Sequence, residues 1–287
     1  MQYEKCNLNH NFLQPLKQIP EPVTELWQIG ALPEHGDKKV VSIVGARHCT
    51  PYGENIAYKL AYELARRGVI VVSGLAYGID ACAHRGCLDA GGTTVAVLGT
   101  PIDKIYPRSN LGLAKRIVER GAIISEFPPG TETHNWHFLR RNRIVAGLSD
   151  VLIIVEAARK SGTHQTASDA LEQNKDVYAV PGDITRPMSV GCNRLIFDGA
   201  IPLVNIDDFI VDFLGVRASK EGRYDLVISD MAESAKNIVA ALRDGISSGE
   251  EIMQKYQISA AEFNHQIMLL ELRGVVQPYG VASWILK

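Results

Sequence analysis

The sequence predicts an α/β protein: a parallel sheet with helices on both faces, followed by a small helical unit. Three observations carry that prediction. Short apolar, β-branched runs recur at residues 40–44, 69–72, 94–98, 122–124, 151–155, 177–180 and 201–204. Helix-period stretches such as 55–67 and 166–174 lie between them. The composition then changes after Gly215, where VRASKEGRYD is polar and poor in large apolar side chains.

Each segment follows from a local rule. Strands that are apolar throughout, rather than at every second position, are buried on both faces, which requires crossover helices above and below the sheet. Residues 38–215 are therefore expected to form one doubly wound domain of Rossmann type. Residues 1–37, punctuated by Pro15, Pro20, Pro22 and Pro33, form a lead-in packed along that core. Residues 216–230 form a linker. In 231–287 a first helix is expected over 232–242, and Ser247-Ser-Gly-Glu250 and Ser259-Ala-Ala-Glu262 have the form of capping boxes opening two more. Gly274 stops the third helix, and 275–286 is expected to be a hairpin turning near Tyr279-Gly280. Three helices and a hairpin make a winged-helix arrangement, with Asn264, His265 and Gln266 on the would-be recognition helix.

The totals narrow the function. The chain has 287 residues, is 46% hydrophobic and carries a formal net charge of −2. Extended disorder is excluded, and nucleic-acid contact has to come from a local positive patch. From Arg223 to Lys287 six Lys/Arg face eight Asp/Glu, a net of −2, so the C-terminal unit is suited to protein more than to duplex DNA. Five cysteines without a CxxC pair argue against a disulfide framework and against a cysteine-based zinc site. The start, MQYEKCNLNHNF, lacks an apolar signal core, and no apolar run reaches the roughly 18 residues of a membrane span. The expectation is a cytoplasmic protein with no membrane partner.

Chemistry is sought at the carboxyl ends of the strands, where doubly wound sheets hold their ligands. Gly45-Ala-Arg47 follows the first strand and Ser73-Gly74-Leu-Ala-Tyr77-Gly78-Ile-Asp80 the second. Ser125-Glu126 follows the fourth and leads into Trp136, His137, Phe138, Arg140, Arg141, Asn142 and Arg143. Glu156 and Ser161-Gly162-Thr163 follow the fifth, and Pro181-Gly182-Asp183 the sixth. Glycines let backbone N–H groups approach a phosphate, and arginines beside aromatic rings suit an anion that also carries flat bases. The plainer readings stand beside these: an arginine triplet can be a solvated face, Gly78 and Gly182 can simply turn the chain, His84 can be a packing residue, and Asp80 and Glu126 can orient arginines. His134 and His137 are spaced HxxH, but no glutamate completes a zinc-protease motif, and no metal or cofactor is expected. GxGxxG, GxxxxGK[ST] and GxSxG are all absent, so no catalytic residue is assigned.

At these loops the chain resembles the DNA-processing protein A (DprA/Smf) family. The resemblance rests on ordered blocks: VGAR from Val44, SGLAYGID from Ser73, Ala83-His84, GTPIDKIYPRSN from Gly99, SEFPPG from Ser125, FLRRNRIVAGLSD from Phe138, VEAARKSGT from Val155, VPGD from Val180 and SVGCNRLIFDGA from Ser189. It implies a non-catalytic, homodimeric protein that binds single-stranded DNA and delivers it to the recombinase RecA in natural transformation. It also implies a DNA pocket using Arg47 and the basic segment at Arg140 or Arg143, with backbone phosphate contacts from the Ser73 and Ser161 loops. Bases would stack on Tyr77, His137 or Phe138. Two departures stand out: Ser161-Gly-Thr-His164-Gln165-Thr166 replaces the family's SGSLIT, and Tyr77 holds a position that is often basic. Many relatives also carry a helical domain where this chain has only its lead-in. The competing readings are a nucleotide-binding sensor and a nucleoside-monophosphate phosphoribohydrolase. The latter needs a PGGxGTxxE loop, which Lys160-Ser-Gly-Thr163 with Glu172 nine residues on does not reproduce.

Overall fold

The computed structural model describes residues 1–159, 161–215, 228, 231–280 and 282–286. They divide into two compact units, Met1–Asp207 and Asp208–Lys287. The expected linker, 216–230, lies outside the described residues apart from Ile228, as does Lys160.

The first unit is built on one nine-stranded sheet in the order β1-β2-β6-β5-β4-β3-β7-β8-β9. Every expected run forms a strand: β3 (Val40–Gly45), β4 (Ile70–Ser73), β5 (Thr94–Leu98), β6 (Ala122–Ser125), β7 (Val151–Val155), β8 (Asp176–Ala179) and β9 (Ile201–Pro202). All neighbours from β6 to β9 are parallel. The intervening helices are α1 (Pro51–Arg66), α2 (Ile79–Asp89), α3 (Leu111–Arg120), α4 (Asn135–Gly147), α5 (Thr163–Glu172) and α6 (Val190–Phe197).

Alternate residues of one strand enter opposite cores, as two-sided burial demands. Val95 and Val97 pack with Ile144, Val145 and Ala167 on the face bearing α4 and α5. Ala96 and Leu98 pack with Leu88, Ala114 and Ile117 on the face bearing α2 and α3. The lead-in is part of this unit. A 3-10 helix (Asn11–Lys17) buries Phe12, Leu13 and Leu16 against the α4 face. Beyond packing, the lead-in supplies two strands with no apolar run to announce them: β2 (Trp27–Gly30) pairs antiparallel with β6, and β1 (Glu4–Lys5) with β2.

What matters for function is where winding reverses. The parallel winding begins at β3, moves outward through β4, β5 and β6, then crosses back to lay β7 on the other flank of β3. Their register runs from Val41↔Val151 to Gly45↔Val155, so both strands end together and their loops diverge, leaving a crevice at the carboxyl edge.

In the second unit, helices at Glu233–Arg243, Gly249–Tyr256 and Ala260–Leu272 precede an antiparallel pair, β10 (Val276–Pro278) and β11 (Trp284–Leu286). Ile238, Phe263, Ile267 and Leu270 form their core. Ser259 caps the third helix by accepting from Glu262 N–H at 3.2 Å. The box expected at 247–250 does not form: Ser248 makes no side-chain cap, and the Ser247 carbonyl instead accepts from Trp284 N–H at 2.9 Å. Gln266 is buried and donates to Glu262 at 3.0 Å, so only Asn264 and His265 of the expected reading surface face solvent.

Candidate nucleic-acid interface

A cleft of about 420 Å³ opens where β3 and β7 part. On its β3 side the chain leaves the strand through a fixed turn. A Cβ on Gly45 would collide with the Val155 carbonyl, and Ala46 N–H donates to the Glu156 carbonyl at 2.8 Å. Glu156 sits at φ 55°, and its buried carboxylate accepts from Thr50 N–H at 2.7 Å and Thr50 Oγ1 at 2.6 Å, which anchors the start of α1. This turn leaves Arg47 exposed at the cleft mouth, its guanidinium 5.3 Å from the centre of the Phe138 ring. Among the described residues no carboxylate pairs with Arg47. On the β7 side, Ser161, Gly162 and Thr163 form the entry to α5. The two hydroxyls bond each other and Thr163 N–H donates to Ser161 Oγ at 3.3 Å, while Gly162 is exposed. The positive end of the α5 dipole therefore borders the cleft. Asn142, half-buried on α4, lines it as well.

The Ser73–Gly78 loop is different. Ser73 Oγ is buried and donates to the Ile43 carbonyl at 2.6 Å. The N–H groups of Gly74 and Ala76 donate to one oxygen of Asp80, at 3.2 and 3.3 Å. The Gly74 carbonyl accepts from Arg141 Nη1 at 2.7 Å, and the Leu75 and Ala76 carbonyls accept from Asn110 Nδ2 at 3.0 and 3.2 Å. An internal carboxylate thus takes the place a phosphate would occupy. Gly78, at φ 72°, turns the chain so closely against the Ala46 and Arg47 carbonyls that no Cβ fits. Burial raises the Asp80 carboxyl above its ordinary value, opposed by Arg141, the loop amides and Arg47. Burial likewise brings Arg141 down to about 10, with Asp80 opposing.

The arginine segment splits along α4. Arg141 is only 5% exposed and also donates to the Val97 carbonyl, so it braces the sheet against the loop and meets the cleft only at its floor. Arg143 is buried and paired with Glu126. Arg140 is exposed but lies outside the cleft, held by Glu126 through Nε at 3.0 Å and Nη2 at 3.2 Å. His137 is a core residue stacked on Phe127, with centroids 3.8 Å apart. Burial, then His134 and Arg140, lowers its basicity.

Aromatic surface collects beside Arg47 instead. Tyr77 and Tyr106 are exposed, Phe138 is half-buried, and Tyr106 and Phe138 have centroids 5.9 Å apart. These rings and Arg47 surround one small hollow. The structure therefore gathers Gly45, Arg47, Tyr77, Phe138, Asn142, Ser161, Gly162 and Thr163 at or beside the cleft. It commits Ser73, Gly74, Gly78, His137, Arg141 and Arg143 to holding the fold, and it sets Arg140 outside. It also adds Tyr106, His48 and Thr166, which sequence reasoning did not single out. Among the described residues no group of three or more His, Cys, Asp or Glu could hold a metal, and no helix is long and apolar enough to cross a membrane.

The chain is 39% identical over 193 residues to DNA processing protein DprA of Bacillus subtilis, covering 67% of this chain and 65% of that protein. It is 35% identical over 240 residues to protein Smf of Escherichia coli, covering 82% and 64% respectively. It thus spans just under two thirds of these relatives' lengths. The solved DNA processing protein A of Helicobacter pylori, described for its single-stranded DNA binding mode, superposes with a TM-score of 0.68 at 31% identity, over 75% of this chain and 97% of that one. The Streptococcus pneumoniae DprA structure gives 0.67 at 33% identity, over 74% of each. The sequence profile of the family described as DNA recombination-mediator protein A matches residues 6–214, which take in the whole of the cleft, and the chain belongs to that family.

Proposed function

We propose that this chain binds single-stranded DNA along the switch-point cleft and delivers it to the recombinase RecA during recombination or natural transformation, with no chemistry of its own. The observation that carries this reading is Arg47: a guanidinium that forms no ion pair among the described residues, at the mouth of a cleft, over an aromatic ring and beside two exposed tyrosines. Phosphates engage Arg47 and the start of α5, and unstacked bases lie on Tyr77, Tyr106 and Phe138. The single-stranded DNA described for the Helicobacter pylori relative supports the same choice of ligand.

The homodimer is part of this proposal. Phe197 is 79% exposed and Val204 78%, on either side of the short edge strand β9, and Ile201 within it is exposed too. Such apolar surface at a sheet edge suits a second copy. The acidic C-terminal unit, taken as a winged helix, contacts protein. The cytoplasm is the expected site of action.

Fluorescence anisotropy with an oligo-dT strand, its duplex and competing mononucleotides, at two salt concentrations, tests the reading. Arg47→Ala is expected to weaken strand binding by about tenfold or more and to flatten the salt dependence. Unchanged affinity in that variant would remove the cleft from the proposal. Binding of a mononucleotide but not of the strand would favour a sensor. A shorter lag in RecA filament growth on single strands checks the delivery step.

A further inference from the structure

A second concavity of about 420 Å³ lies on the outer side of α4 and α5, walled by the lead-in. It shares only Leu139 with the DNA cleft. Its character is opposite. Trp136 and Leu139, each 51% exposed, form an apolar shelf. Glu21, Asp169 and Glu172 border it, while its two arginines, Arg140 and Arg143, are already engaged, both by Glu126, which is not part of the lining, and Arg143 also by Glu21 at 3.6 Å. Among the described residues neither Asp169 nor Glu172 has a cationic partner. Burial raises the Asp169 carboxyl above its ordinary value, and the charges of Glu172 and Glu21 add to this against Gln165 and Arg143.

The floor is also under-bonded. Arg143 Nη1, a donor, and Asp169 Oδ2 and Gln173 Oε1, both acceptors, are buried without hydrogen-bond partners, though Arg143 is itself more than nine-tenths buried. Buried polar atoms of this kind are normally satisfied. Orphans of both senses exclude a bare metal ion, which would leave the donor unmet. The surplus of carboxylates excludes phosphate, and with it the DNA. A peptide brings both N–H and C=O groups, and a basic side chain adds the missing positive charge and an aliphatic stem to lie on Trp136.

We propose that this groove is a docking site for an arginine- or lysine-bearing segment of a partner protein, its cation held by Asp169 and Glu172 over the Trp136–Leu139 shelf. The assignment goes beyond the DNA-binding reading. Because the two concavities share one wall and differ in charge, strand and partner are kept apart yet adjacent.

The test uses the full chain and a fluorescein-labelled glycine peptide carrying two arginines, with a neutral citrulline peptide as control. The arginine peptide is expected to bind, the citrulline peptide at least about tenfold more weakly. Asp169→Asn combined with Glu172→Gln, and separately Trp136→Ala, should each lose the arginine peptide to a similar degree, with oligo-dT affinity within about twofold of the parent. The carboxamide pair keeps the shape of the groove, so misfolding does not mimic the loss. Equal binding of both peptides, or full binding to the carboxamide variant, would overturn the proposal. So would a change of sedimentation in that variant without a change in peptide binding, which would assign the groove to a second copy.

Discussion

Two glycine-containing loops rim the cleft, and they do opposite things. The one after β4, Ser73 to Gly78, has its backbone groups spoken for: Asp80 accepts its amides, while Arg141 and Asn110 donate to its carbonyls. The one after β7, Ser161 to Thr163, keeps an exposed glycine at the positive end of a helix. In one-letter code both look like phosphate cradles. The difference teaches that glycine only permits close approach. Whether an external anion can use the amides depends on whether the protein already supplies an internal one.

Breaking the closed loop should have the largest effect. Arg141→Met leaves Asp80 buried without its cation and frees two carbonyls, and is expected to cost about 3–5 kcal/mol of stability, read from urea unfolding. A loss under about 1 kcal/mol would mean the loop is held mainly by other contacts. The two glycines give a matched pair. A Cβ on Gly74 would overlap the Arg141 guanidinium, so Gly74→Ala should cost about 1–3 kcal/mol. Gly162 has open space around it and an ordinary helical φ of −61°, so Gly162→Ala should stay within about 0.5 kcal/mol. Similar costs at both sites would erase the distinction.

A further effect, seen only as the pH is lowered, lies in α2, behind the closed loop. His84 is fully buried, bonded through Nδ1 to Thr94 Oγ1 at 2.7 Å, and burial, aided by Arg141, lowers it to about 3. Its folded value lies below its unfolded one, so its share of stability is complete above the unfolded value near 6.5. That share is lost as pH falls toward 3, at up to about 1.4 kcal/mol per pH unit. His84→Gln should flatten the stability profile between about pH 6 and 4; an unchanged slope there would place the titration elsewhere.

The sheet was legible because each strand of its parallel core is apolar enough to declare itself. β1 and β2 were not, since Glu4-Lys5 and Trp27-Gln-Ile-Gly30 lack an apolar run and owe their strand form to pairing with a neighbour. Arg47 was legible for a positional reason: a cation directly after a buried strand must emerge at the carboxyl edge. The arginine triplet misled because Arg140 and Arg143, three apart, share the helix face that meets Glu126, while Arg141 between them points to another side, into the sheet and the Gly74 loop. Tyr106 follows β5, and the carboxyl-edge rule applied to that strand would have found it. The Asp80 bonds could not be read, because an acid four or six residues from its amides looks the same whether it folds back or faces water.

The clasp between the lead-in and α4 bears on the order of assembly. A Cβ on Gly147 would lie 2.8 Å from Ile19 and 3.0 Å from Leu16, and Glu21 reaches Arg143 at 3.6 Å. These contacts join positions very distant along the chain, so closing them carries a large entropic cost that local structure cannot offset. The helix that presents Phe138 and Asn142 is thereby expected to settle late in folding, after the sheet, and the cleft with it.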